Sequence, residues 1–431
     1  MIRLVSAVAL VAVLGAPAAA SPPRTTVLDA GGARAFVSAD PGALLAGVMV
    51  FVRAGLDRQT AAQNGIAALA AESVLRTPVA PSTGSGQAVP LADAVEARGA
   101  SIGYVVEPQG VRFYLEGPPE RLAAAAALVA GALAAPAFDA ATLAAARAAL
   151  GERIADEDGD PRLVARSMLR SSYYRDGAGL PTHGNAAALA ALGPAELKAF
   201  FATWYRRGDA IATAVGQTGE ATDAASRALL GALPAGTARS TPILTRPFGL
   251  QPKRIVTHRD VGASYVVLGF AAPALGERDF PAALVMRAVL GGVFERAGAT
   301  SLPPLFHSVG LLYGYDASPA QLVLWINGAR LSPEVGLAGI DAIAKAAARK
   351  PLNAAVLARY KETARGAWTL KSVTLDERAA AIGNAVAHGL SADAAGDVGA
   401  AIGRVTAADV QRVAKKYFQK FDVALVLPRG N

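Results

Sequence analysis

The sequence predicts an α+β protein of two homologous domains, each an antiparallel sheet with helices packed on one face. Three observations carry that prediction. One succession of strand, helix, strand, long helix, helix pair, helix and strand occurs twice along the chain. A stretch at 234–253 with Pro234, Gly236, Pro242, Pro247, Gly249 and Pro252 separates the two occurrences, as a linker does. Hydrophobic residues make up 53% and charged residues 18% of the 431, which suits sizeable cores and argues against disorder. A long internal repeat is a more specific signal than any short motif.

Residues 1–20 stand apart. Arg3 precedes an apolar run from Leu4 to Leu14, and Ala18-Ala19-Ala20 precede Ser21. This is the pattern of a secretory signal peptide with an A-x-A-like cleavage site. Its apolar run is too short to span a bilayer. The mature chain is therefore expected to be soluble and exported, periplasmic or extracellular, with no stable membrane insertion.

The first unit, 21–233, opens with a hairpin of 26–28 and 35–37 around Gly31-Gly32. Val48 to Val52 reads as a buried strand, and a polar turn through Asp57, Arg58, Gln63 and Asn64 leads to an Ala- and Leu-rich helix at 65–75. Residues 78–90 are a Gly/Pro-rich loop. A short helix at 91–98, paired strands 101–106 and 110–117, and helices at 118–135, 139–156 and 161–174 follow, with Asp139 as an N-cap. Helix 194–205, strand 210–216 and helix 222–233 close the unit. The second unit, 254–431, repeats the order. Strand 264–270 leads to helix 281–290, which should stop at Gly291-Gly292. Strand 321–327 feeds helix 333–349, and a helix pair at 353–370 and 374–386 matches 139–156 and 161–174. Helix 405–418, with Thr406 and Asp409 in a capping-box-like start, precedes strand 422–427.

Composition narrows the function classes. There is no cysteine, so disulfides, a thiol nucleophile and thiolate metal sites are excluded. The net charge of +8 is scattered, with Arg206-Arg207 and Lys415-Lys416 among the few adjacent pairs. No aromatic-interleaved basic stripe appears, so no nucleic-acid partner is expected.

The strand Val48-Met49-Val50-Phe51-Val52-Arg53-Ala54-Gly55 and the helix Gly65-Ile66-Ala67-Ala68-Leu69-Ala70-Ala71-Glu72-Ser73-Val74-Leu75 together resemble the opening strand and metal-binding helix of the insulinase/pitrilysin zinc peptidases. There the helix carries His-x-x-Glu-His. Laid on this chain, the first His falls at Ala68, the Glu at Ala71 and the second His at Glu72. The three positions share one helix face. That face offers two methyl groups and one carboxylate, whereas catalytic zinc takes three protein ligands and an open position. The resemblance places the third ligand, a Glu, in the stretch Leu150 to Pro161. Counting back from Asp160-Pro161 puts it at Arg153, and a shift of one residue puts it at Glu152. Arg153 and Glu72 then either tie two helices together where the metal would be or stand as solvated surface charges. The family's Arg-x-x-x-Gly-Leu-x-Tyr stretch is met here by Phe306 to Tyr313, with Gly310, Leu311 and Tyr313 in place and Phe306 where the Arg belongs.

Other chemistry is sparse. His183, His258, His307 and His388 have no metal-binding spacing, and Ser82 to Gly86 lacks the buried strand that precedes a nucleophile elbow. The resemblance implies two similar α+β domains forming a clamshell that closes on a peptide. The degenerate positions imply no catalytic residue, no zinc and no other cofactor. The expected function is that of a non-catalytic homologue, partner subunit of a catalytic insulinase-like zinc peptidase, helping to enclose an extended peptide. A stand-alone peptide-binding or scaffold protein is the alternative. A metallopeptidase with an unconventional site of Glu72, Glu152 and a distant His is the third reading. Glu152 and Tyr313 are the further candidate cleft residues.

Overall fold

In a computed structural model, residues 24–30, 32–80, 87–174, 176–236, 253–300, 308–314, 320–328 and 332–429 are described. The hairpin of β1 (Thr26–Asp29) and β2 (Arg34–Ala39) leads to β3 (Ala46–Val52) and then α1 (Ile66–Arg76). The Gly/Pro-rich segment holds a two-residue ladder of β4 (Pro78–Val79) and β5 (Val89–Pro90). α2 (Leu91–Glu96), β6 (Ser101–Val106), β7 (Val111–Gly117) and α3 (Pro119–Ala134) follow. The Asp139 carboxylate accepts from the backbone N–H groups of Ala141 and Thr142 and so starts α4 (Ala140–Gly159). Asp160 caps α5 (Pro161–Tyr173) in the same way, with Pro161 in the first turn where no N–H is needed. α6 (Ala186–Ala191), α7 (Pro194–Trp204), β8 (Ile211–Gly216) and α8 (Glu220–Ala232) complete the half.

The second half runs β9 (Arg254–Arg259), β10 (Ser264–Ala272), α9 (Phe280–Thr300), β11 (Ser308–Gly314), β12 (Ala320–Gly328), α10 (Pro333–Arg349) and α11 (Ala354–Leu370). α12 (Leu375–Ala387), α13 (Val398–Arg404), α14 (Ala407–Tyr417) and β13 (Asp422–Pro428) end it. α9 does not stop at Gly291-Gly292 as expected. A Cβ on Gly292 would meet Cε1 of Tyr360 at 2.8 Å, so the glycine lets α11 approach closely, and packing overrides the low helix propensity.

The sheets repeat one topology. The first has the order β1-β2-β8-β3-β7-β6, and the second, written from its other edge, β9-β13-β10-β12-β11. Strand for strand, β9 stands for β2, β13 for β8, β10 for β3, β12 for β7 and β11 for β6. The pairings are antiparallel except one in each sheet: β2 with β8 and β9 with β13 run parallel. That departs from the purely antiparallel sheets expected. A parallel pair needs a long crossover, and in each half nearly all the helices lie between its two strands.

Each sheet also carries a helix on its second face, and that helix comes from the other half. Along β3, Val48, Val50 and Val52 enter the core shared with α1, α3 and α4, while Met49 and Phe51 point the opposite way. There they pack with Phe36, Ile211 and Val215 against Ala379, Ala380 and Ile382 of α12. In return, Ala165 and Leu169 of α5 cover Val267, Val323, Ala424 and Val426 of the second sheet. Thr213 Oγ1 donates to the Ala379 carbonyl at 3.2 Å, and the Tyr173 hydroxyl to the Ala320 carbonyl at 2.7 Å. Central strands covered on both faces read as unbroken apolar runs, which is why 48–52 is continuous rather than alternating.

Candidate functional site: the guanidinium against the first helix

α1 begins where Gly65, at φ +92°, turns the chain into the helix. Gly184, at φ +83°, lies against it, and a Cβ on Gly65 would come within 2.9 Å of the Gly184 Cα. The helix is buried from Ile66 to Leu75. Ala68 and Ala71 have no exposed surface. Two methyl groups on that face let α1 lie close to α4, and the one carboxylate left among them is Glu72, 1% exposed.

A carboxylate so deeply buried needs partners. Glu72 Oε1 accepts from Arg76 Nε at 2.9 Å, one turn along α1. Glu72 Oε2 lies 3.1 Å from Arg153 Nη2, across from α4. This second contact is ionic rather than a directed hydrogen bond, since Oε2 has no hydrogen-bond partner of good geometry. Arg153 Nη1 donates to the Tyr104 hydroxyl at 2.6 Å, and its guanidinium sits 5.0 Å from the centroid of that ring. Burial, and after it the Glu72 carboxylate, hold the Tyr104 phenol well above its usual pKa range, so it stays neutral. Tyr104 belongs to β6, an edge strand of the first sheet.

The alternatives left by the sequence therefore separate. Arg153, not Glu152, faces Glu72; Glu152 is exposed and makes no ion pair among the described residues. Glu72 is no surface charge, and the two helices are tied. Tyr313 lies in β11, opposite Leu322 of β12, and its side chain falls outside the described residues, as do Phe306 and His307. The other three histidines are elsewhere. His183 Nδ1 is 3.1 Å from Glu157 Oε1, His258 is exposed on β9, and His388 sits between the Asn384 carbonyl and Gln109 Oε1, 2.7 Å from each. Among the described residues, a site of Glu72, Glu152 and a histidine is not assembled. Sequence reasoning missed Arg76 and Tyr104. The first had a signal, four residues beyond Glu72. The second had only its alternation in a strand, which is shared by every inward residue of β6.

Among the described residues, no group of three or more His, Asp or Glu side chains could hold a metal ion. The Glu72 carboxylate already faces two guanidinium groups. These residues do not fit zinc, which requires three donors and an open position. The arrangement can hold and orient a fixed positive charge beside a sheet edge.

Residues 191–361, from the end of α6 into α11, match the model of the peptidase M16 inactive domain. A peptidase M16 inactive domain from Pseudomonas fluorescens has the same fold, with TM-score 0.80 at 17% identity over 94% of this chain and 98% of that one. A protease from Helicobacter pylori gives 0.81 at 14%, covering 94% and 100%. A chain of Complex III2 from Candida albicans gives 0.74 at 13%, covering 94% and 95%. No curated protein matches by sequence. The chain thus has the fold of these M16 peptidase-like proteins, and the match to the family's inactive-domain model is confined to residues 191–361.

Proposed function

We propose that this chain is exported and serves as the non-catalytic partner subunit of an active insulinase-like zinc peptidase, helping to enclose an extended peptide. The observation that carries this reading is the Arg153 guanidinium, paired with Glu72 on the helix face where the family holds zinc. The chain nevertheless keeps both halves and the edge strand β6 beside that point. An extended peptide added to an open strand edge gains main-chain hydrogen bonds without any metal. Cleavage in such an assembly needs zinc from a second chain. A similar structure is a chain within a larger complex, Complex III2, which supports the partnership. The signal-peptide pattern of residues 1–20 supports export, and among the described residues no helix is long and apolar enough to cross a membrane.

Co-purification from the native host tests this. The expected result is an assembly heavier than the monomer by light scattering, containing a zinc-bearing homologue whose activity falls when this chain is removed. A stable interface should bury more than about 1,000 Å². A lone monomer that binds peptide, with the zinc-bearing homologue fully active in its absence, would favour the stand-alone peptide-binding scaffold.

A further inference from the structure

The cluster around Glu72 is not balanced in charge. One carboxylate faces two guanidinium groups, Arg76 and Arg153, so the group holds one positive charge in excess. Glu72 is shut away, its side chain 2% exposed, while Arg153 keeps 40% of its side-chain surface. Arg153 is also fixed in place by Glu72 and by the hydroxyl and ring of Tyr104. A guanidinium has five N–H donors in a planar fork, and these contacts engage a minority of them. Among the described residues no acid of α4 pairs with it: Glu152 and Asp156 form no ion pair, and Glu157, one turn further along, faces His183. The result is a preorganised, part-exposed cation beside the edge strand that carries Tyr104.

We infer that Arg153 reads a carboxylate on the bound chain, either the C-terminus of a peptide lying along β6 or an Asp or Glu side chain turned toward α4. This rests on the peptide-binding reading above and names a feature of the peptide. A planar guanidinium matches a carboxylate with two parallel charge-assisted hydrogen bonds, whereas a neutral side chain takes up none of the excess charge. Anchoring the guanidinium beforehand removes part of the ordering cost of binding.

The test is fluorescence anisotropy on the mature full chain, alone and in the fraction co-purified from the native host. The probes are short labelled peptides of alternating Val and Ser: one with a free C-terminus, one amidated, and amidated versions with a central Glu or Gln. Carboxylate probes should bind about tenfold tighter than their neutral counterparts. The free-acid and Glu arms tell which source is read. Arg153→Met should abolish the preference for carboxylate over neutral probes, while Arg153→Lys should keep part of it. Because Arg153→Met leaves Glu72 with one cation, the measurement is repeated with Glu72→Gln added, and folding is checked by circular dichroism. Equal binding of charged and neutral probes, or a preference that survives Arg153→Met, overturns this inference and leaves peptide binding standing. Binding of no probe in either sample overturns both.

Discussion

At the scale of single residues, burial decides what each charge does. Glu72 and Arg153 form a bridge between helices whose carboxylate end is dry and whose guanidinium end is wet. A double-mutant cycle of Glu72→Gln and Arg153→Met should therefore give a coupling of about 1 kcal/mol in urea unfolding, well below a fully buried pair because Arg153 is partly screened. Additive effects would show that the contact contributes nothing. A second buried acid makes a different forecast. Asp57, in the β3–α1 connection, has a side chain 2% exposed and 3.4 Å from Arg58. Burial raises its carboxyl to about 6 from the ordinary 3.8, against the lowering effect of Arg58. Above pH 6 the group is ionised in the folded and unfolded chain alike, and the desolvation cost is fully present. As pH falls from about 6 to about 4 the folded chain takes up its proton first, so stability rises. The parent should thus gain on Asp57→Asn by up to about 3 kcal/mol as pH drops from 7 to 4. A difference between the two proteins that does not change with pH would contradict this placement.

At the scale of elements, α1 is the piece with the least freedom. Its start requires two left-handed glycines in contact, and a Cβ on Gly184 would lie 2.7 Å from the Gly65 Cα. Gly65→Ala should cost about 2 kcal/mol or more, from the left-handed backbone and the clash together, read as a lower urea midpoint with unchanged slope. A neutral effect would mean that the α1 entry is looser than described. The same helix resists repair of the motif. Ala68 and Ala71 have no exposed surface, so combining Ala68→His, Ala71→Glu and Glu72→His overfills a packed face while the Arg153 guanidinium still stands against it. That triple substitution should lower stability and give neither stoichiometric zinc nor chelator-sensitive cleavage. Zinc bound at a ratio near one, with turnover, would show that Arg153 is not the obstacle.

At the scale of the whole molecule, the halves are interlocked. α12 covers the second face of the first sheet and α5 that of the second sheet, and Arg53 Nη2 donates to the Ala387 carbonyl at 2.9 Å across the same seam. Arg378 with Asp40 and Ser172 with Asp422 add polar links. Either half alone would expose an apolar sheet face, Met49, Phe51 and Val215 in one case and Val267, Val323 and Val426 in the other. Chains 24–236 and 253–429 made separately should therefore aggregate and should form a soluble complex when made together. A protease site placed between Gly236 and Lys253 should, once cut, leave the two pieces eluting as one species. Two independently soluble, separately melting halves would refute the exchange.

The sequence by itself determined the two-unit plan, the position of nearly every helix and central strand, and the absence of ligand-type side chains at 68 and 71; the expected linker lies almost wholly outside the described residues. These are local matters. Hydrophobic period, caps such as Asp139 and Asp160, and residue identity on one helix face are all written within a few turns of chain. Only the tertiary structure decided that Glu72 is buried, that Arg153 rather than Glu152 meets it, and that Tyr104 joins them from β6. It alone decided that α5 and α12 change partners between sheets and that one strand pair in each sheet runs parallel. The reason is physical. A charged residue on an amphipathic helix carries the same local pattern whether it faces water or a partner distant in sequence. Which of the two it faces depends on which elements pack against it, and that is fixed only when the whole chain closes its cores.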